Sequence, residues 1–156
     1  MTKFSFLESF INTPMKPADN VFFPVKQQNI DEAEKLLGYA LPAPLIEFYS
    51  EIGYGFLQAS ENRRVVNDSD INRIIDPVSV SELILGISEL QPTEQFDSGD
   101  IPFFEIGDEL FIVMKTKAKK ANTIFLAHGE RMIAENLEEF IRKLYFECPD
   151  FYKAFY

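Results

Sequence analysis

Apolar residues recur along this chain at spacings that switch between helical and strand-like periods. Phe4, Leu7, Phe10 and Ile11 fall three or four apart, which predicts a short amphipathic helix over 3–11 that ends before Pro14. Residues 12–28, with Pro14, Pro17 and Pro24, read as irregular. Asn29 then stands where a helix cap belongs, and Asp31 and Glu32 fall beside the positive end of the dipole. Ile30, Ala33, Leu36 and Leu37 form the buried stripe of that helix, and Gly38 supplies its stop. Pro44 opens a second helix whose apolar face is Leu45, Ile46, Phe48, Tyr49 and Ile52, closed by Gly53 and Gly55.

The middle of the chain reads as strands with one helix between them. Phe56–Ala59 and Arg63–Val66 are short strand candidates, and Ser79 with Glu82 has capping-box spacing before a helix that ends at Gly86. Residues 101–106 and 109–115 are apolar enough for buried strands, Lys117–Asn122 reads as a turn, and Thr123–His128 as the returning strand of a hairpin. A last helix opens at Asn136, with Glu139 three residues on, and Pro149 stops it. Its stripe is Leu137, Phe140, Ile141, Leu144, Tyr145 and Cys148. Helices at both ends and strands in the centre give an α+β fold, and no linker or repeat divides residues 1–156 into more than one domain.

Composition changes the picture in three ways. Sixteen Phe and six Tyr with no Trp make the apolar bulk aromatic, and four of these, Phe151, Tyr152, Phe155 and Tyr156, close the chain. A chain end is normally frayed unless something docks it, so they are expected to pack on Phe4, Phe6 and Phe10. The alternative leaves them exposed to a partner or a second subunit. A single Cys rules out an internal disulfide framework, and the first dozen residues, with Lys3 and Glu8, lack the apolar run of a secretion signal. No apolar segment approaches the roughly 20 residues of a membrane span. The expected compartment is the cytoplasm, with no membrane partner, in a monomer or weak homodimer.

The third change is charge. Fifteen Lys and Arg against twenty-five Asp and Glu leave a net charge of −10. From Ile74 to Met114 there is no Lys or Arg, while Asp76, Glu82, Glu89, Glu94, Asp97, Asp100, Glu105, Asp108 and Glu109 supply nine carboxylates in 41 residues. Such a run is either a solvated acidic face or a negative surface that steers a basic partner. Lys115, Lys117, Lys119 and Lys120 form the one basic cluster, and an overall −10 repels nucleic acid.

Candidate catalytic chemistry is sparse. His128 and Cys148 are the only residues of their kinds, and Cys148 falls on an apolar stripe where free cysteines behave as small hydrophobes. Asp68-Ser69-Asp70-Ile71-Asn72 copies the start of a calcium loop, but Arg73 stands where the sharp turn needs Gly and Ser79 where the bidentate Glu belongs. No hydrolase elbow, zinc-protease motif or phosphate loop occurs. An enzyme would have to use His128 as base beside Asp108 or Glu130. The expectation is no catalytic residue, metal or cofactor.

One segment resembles a known family. Ile30-x-x-Ala33-Glu34-x-x-Leu37-Gly38-x-x-Leu41-Pro42-x-x-Leu45-x-x-Phe48-Tyr49-x-x-x-Gly53 is similar to the N-terminal signature of the SUKH superfamily, which includes bacterial immunity proteins and fungal regulators of cell-wall glucan synthesis. The later order, Ile101-Pro102-Phe103-Phe104, then Gly107-Asp108, a hairpin and a helix near Asn136, extends the likeness over most of 30–145. It departs where many members carry a Gly-rich, Asp-containing turn, since only Gly107 remains. The resemblance implies a central, mostly antiparallel sheet flanked by helices. It also implies a non-enzymatic protein that neutralises a cognate toxin, often a nuclease; an intracellular regulatory scaffold without a toxin is the alternative. A basic nuclease fits the acidic run. Phe96, as an exposed anchor, and Asp97, Asp100, Glu105, Asp108 and Glu109, as charge partners, are the expected contact residues.

Overall fold

The computed structural model describes residues 3–13, 20–57, 70–89 and 95–156. Among the described residues, seven strands form one antiparallel sheet in which every strand lies beside its neighbours in sequence: β1 (Val21–Phe23), β2 (Tyr54–Phe56), β3 (Arg73–Ile74), β4 (Asp100–Gly107), β5 (Leu110–Lys115), β6 (Thr123–Leu126) and β7 (Met132–Ala134). The helices are α1 (Gln27–Leu37), α2 (Ala43–Glu51), α3 (Pro77–Leu85) and α4 (Leu137–Phe146), with 3-10 segments at Ser5–Phe10 and Phe151–Phe155. The expected α+β class stands, in a single domain.

Local chemistry explains most element ends. Asn136 caps α4 by accepting from the Glu139 N–H at 2.8 Å, while Glu139 accepts from the Glu135 N–H at 2.7 Å. Helix α1 starts earlier than expected, at Gln27: Asn29 is inside it and its side chain accepts from the Lys26 N–H. Leu36, placed on the buried stripe by spacing, is exposed. Asp76 caps α3 by accepting from the Ser79 N–H at 3.1 Å, so the cap lies three residues before the expected Ser79. The N-terminal segment is a 3-10 rather than an α-helix, and its tail, at Ile11, bridges the outer side of β1.

Gly53 and Gly55 do not end α2, which closes at Ile52. They lie at φ 122° and 145°, where added Cβ atoms would meet the carbonyl oxygens of Phe23 and Val21 at 2.0 and 2.2 Å. The glycines let β1 and β2 approach. Strands β1, β3 and β7 have two or three residues each, too few for an alternation to register in sequence. The candidate strand Arg63–Val66 lies outside the described residues.

The core is one cluster between the sheet and the helices, running from Phe4 and Leu7 through Phe48, Phe104 and Phe140 to Tyr152. A register shift between Pro102 and Phe104 lets neighbouring Phe103 and Phe104 both meet Phe140 of α4, edge-on, at 5.6 and 5.2 Å between centroids.

Phe151, Tyr152 and Phe155 dock on the chain itself, though not where expected, and Tyr156 stays exposed. Tyr152 is buried against Phe104, and Phe151 packs on Phe140. Phe6 and Phe10 instead meet Tyr145 and Phe146 of α4. The Tyr152 hydroxyl donates to the Asn72 side-chain carbonyl, and the Asn72 amide donates to the Pro149 carbonyl at 2.7 Å. Burial, and then the nearby Asp70 charge, push the Tyr152 hydroxyl far above its ordinary range, so it stays a donor. Lys153 pairs with Asp70 at 2.7 Å. Asp70 and Asn72 therefore anchor the C-terminus; Asp68 lies outside the described residues.

Candidate functional site

The acidic run divides into buried and exposed carboxylates. Strand register places Asp100, Lys115 and Thr123 in one row, and Glu105 directly beside Arg73. Asp100 and Glu105 are each only 6% exposed, and each carries an ion pair at 3.0 Å, with Lys115 and with Arg73. Lys115 also lies 5.3 Å over the Phe125 ring. The cations thus come from the residues that bracket the cation-free run, brought alongside by antiparallel pairing. Asp100 and Glu105, expected as charge partners of the toxin, are thus buried and ion-paired within the chain. Asp76 is likewise engaged as the cap of α3.

The exposed carboxylates gather differently. Asp97 keeps 61% of its side-chain area exposed and lies 3.6 Å from His128 Nδ1. Phe96 is half-buried and edge-on to Phe111 at 5.6 Å, so it seats the 95–97 segment on the sheet and does not stand free as an anchor. Asp108 and Glu109 make the two-residue turn between β4 and β5, both exposed and both left-handed, at φ 51° and 65°. Two-residue hairpin turns of this hand favour Asn-Gly or Asp-Gly, so the second position is strained by a side chain. The β4–β5 and β6–β7 turns fall at the same end of the sheet, tied by the Ala127 N–H to the Phe111 carbonyl at 3.0 Å. That end therefore presents Asp108, Glu109 and His128, and Asp97 reaches His128 from the segment that leads into the far end of β4. Glu94 lies outside the described residues.

The opposite end of the β5–β6 hairpin is the lysine turn. Lys117 donates to the Ser98 hydroxyl at 2.8 Å and Lys120 pairs with Glu135 at 3.3 Å. Cys148 donates its S–H to Asp150 at 2.6 Å, and burial first, then Asp150, push the thiol above its ordinary range, which disfavours the nucleophilic thiolate. Asp97 lies beside His128, 3.6 Å from its Nδ1. Among the described residues no three His, Cys, Asp or Glu converge on a point where a metal could sit, and no helix is long and apolar enough to cross a membrane.

Comparison with known sequences fits this architecture. The profile of the SMI1 / KNR4 family (SUKH-1) matches residues 24–156. The chain belongs to this family. Its SUKH-1 match begins before the Ile30 signature and runs through α4 to the terminal aromatics. The chain is also similar to "Immunity protein YxxD" of Bacillus subtilis (strain 168), with 33% identity over 132 residues, covering 81% of this chain and 84% of the relative. No solved structure matches.

The SUKH-1 scaffold positions read from sequence have structural jobs. Gly38 closes α1 at φ 82°, Leu41 and Leu45 are buried, and the Glu34 side chain accepts from the Leu41 N–H at 2.7 Å. Sequence reasoning missed the buried pairing of Asp100 and Glu105, for which the signal was Arg73 and Lys115 at the two borders of the acidic run.

Proposed function

We propose that this chain is an immunity protein, a non-catalytic cytoplasmic inhibitor that binds a cognate toxin and blocks its working surface. The observation that carries the reading is the relative named as an immunity protein, matched over four-fifths of the chain. Charge supports a basic, nucleic-acid-cleaving toxin as the partner. A nuclease must grip a polyanion, and a −10 chain complements such a surface while repelling the nucleic acid itself.

In this reading Asp97, Asp108 and Glu109 face the toxin, Phe96 holds the 95–97 segment in place, and Asp100 and Glu105 keep the sheet in register beneath. The strained Asp108–Glu109 turn fits the habit of functional loops to retain local strain. Co-expression with the toxin encoded beside its gene tests the proposal: cells should survive with the intact protein and die without it. Death in both cases would overturn it.

A further inference from the structure

Helix α3 ends in a Schellman arrangement. Gly86 lies at φ 73°, and the N–H groups of Gly86 and Ile87 return to the carbonyls of Leu83 and Glu82 at 3.3 and 3.0 Å. In this motif the residue after the glycine commonly rests on an apolar side chain one turn back. Here that earlier position is Glu82, and Ile87 stands 61% exposed, although its backbone is fixed by the motif. Leu85, beside it, is also exposed.

The neighbourhood is acidic. The Gln95 side-chain amide lies beside Gly86, where a Cβ would stand 2.9 Å from its nitrogen, and exposed Asp97 follows Gln95 by two residues. Glu89, also exposed, follows Ile87 by two residues. This apolar tip thus adjoins Gln95, two residues before Asp97 of the proposed acidic surface.

We propose that Ile87, supported by Leu85, is the apolar anchor of the toxin contact, and that the partner meets it with an apolar pocket bordered by lysine or arginine. The inference rests on the immunity reading and adds the residue that holds the complex once charge has formed it. A branched side chain on a backbone fixed before binding loses little freedom on docking, which is how a few interface positions come to dominate affinity. Asp97 and Glu89 then govern encounter, and Ile87 governs residence.

The test is binding kinetics with the catalytically inactivated toxin domain encoded beside this chain's gene. Ile87→Ala should speed dissociation about 10- to 100-fold, and Ile87→Glu should abolish binding. Leu36→Ala, at an exposed leucine on α1, should behave as wild type. Thermal melts confirm that each variant is folded. If wild type binds and Ile87→Ala dissociates at the same rate, the anchor is wrong and the immunity reading survives. If wild type does not bind, both fall. A wild-type dimer that Ile87→Glu converts to monomer in sedimentation would assign the patch to a second copy and overturn the proposal.

Discussion

Replacing Lys115 with Met tests whether Asp100 is a buried structural charge. The substitution keeps most of the side-chain volume but removes the ammonium 3.0 Å from Asp100, and with it the contact over Phe125. Asp100 would then be a carboxylate with 6% exposure and no cation beside it. Breaking a fully buried pair from one side costs about 3–5 kcal/mol. Lys115 is 19% exposed, so some water reaches the pair, and the expected loss is about 2–4 kcal/mol. For a chain of this size, that is a fall in Tm of roughly 4–16 °C. Urea unfolding followed by circular dichroism gives the number directly, provided the slope with denaturant is unchanged. Asp100→Asn combined with Lys115→Met removes the stranded charge and should recover about half of the loss or more. Asp108→Asn, on the exposed turn, should change stability by less than about 0.5 kcal/mol. A Lys115→Met loss under about 0.5 kcal/mol would refute the assignment and return Asp100 to the pool of surface charges.

Three further outcomes follow from the geometry. Tyr152→Phe leaves the buried Asn72 carbonyl without its donor and should cost about 1–3 kcal/mol in the same unfolding experiment; no loss would mean that the C-terminal turn is not locked. Glu109→Gly relieves the left-handed backbone at φ 65° and should stabilise by about 0.5–1 kcal/mol after the added freedom of the unfolded chain is counted, while weakening the toxin contact. The Glu135 N–H holds the Glu139 carboxylate below the ordinary Glu range, with Lys143 adding to the effect against partial desolvation. Because its folded value is depressed, that stabilisation is complete above the unfolded Glu value and is lost as pH falls through the folded one. Glu139→Gln should therefore cost about 0.5–1 kcal/mol at neutral pH and converge on wild type in acid; an equal deficit at every pH would exclude the charge as its source.

Long periodic elements were legible from residue order. Helix α4 carries its cap, its stripe and its stop within the fourteen residues from Asn136 to Pro149, and Leu137, Phe140, Ile141 and Leu144 are all buried as spacing requires. The β4–β5 pair was visible as two apolar runs around Gly107. What stayed hidden depends on contacts distant in sequence. Gly53 resembles a helix terminator until Phe23 is placed 2.0 Å from the Cβ it lacks. Asn72 looks like a turn residue until Tyr152, eighty positions away, donates to it. The acidic run misled for the same reason. Counting charges along the chain ignores the strands on either side, and Arg73 and Lys115 neutralise from the flanks two of the carboxylates that seemed free. Ile87 carried no signal, because only the Schellman bonds and the Glu82 position show why it is exposed.

The immunity function is tested most directly by the affinity of this chain for the inactivated toxin domain encoded beside its gene, titrated at low and at high salt. That function predicts a tight one-to-one complex whose association rate falls steeply as salt rises, with the Asp97→Asn, Asp108→Asn and Glu109→Gln triple variant losing most of that salt dependence. Binding that is absent, or that is indifferent to both salt and the triple variant, would contradict an immunity protein working through its exposed carboxylates.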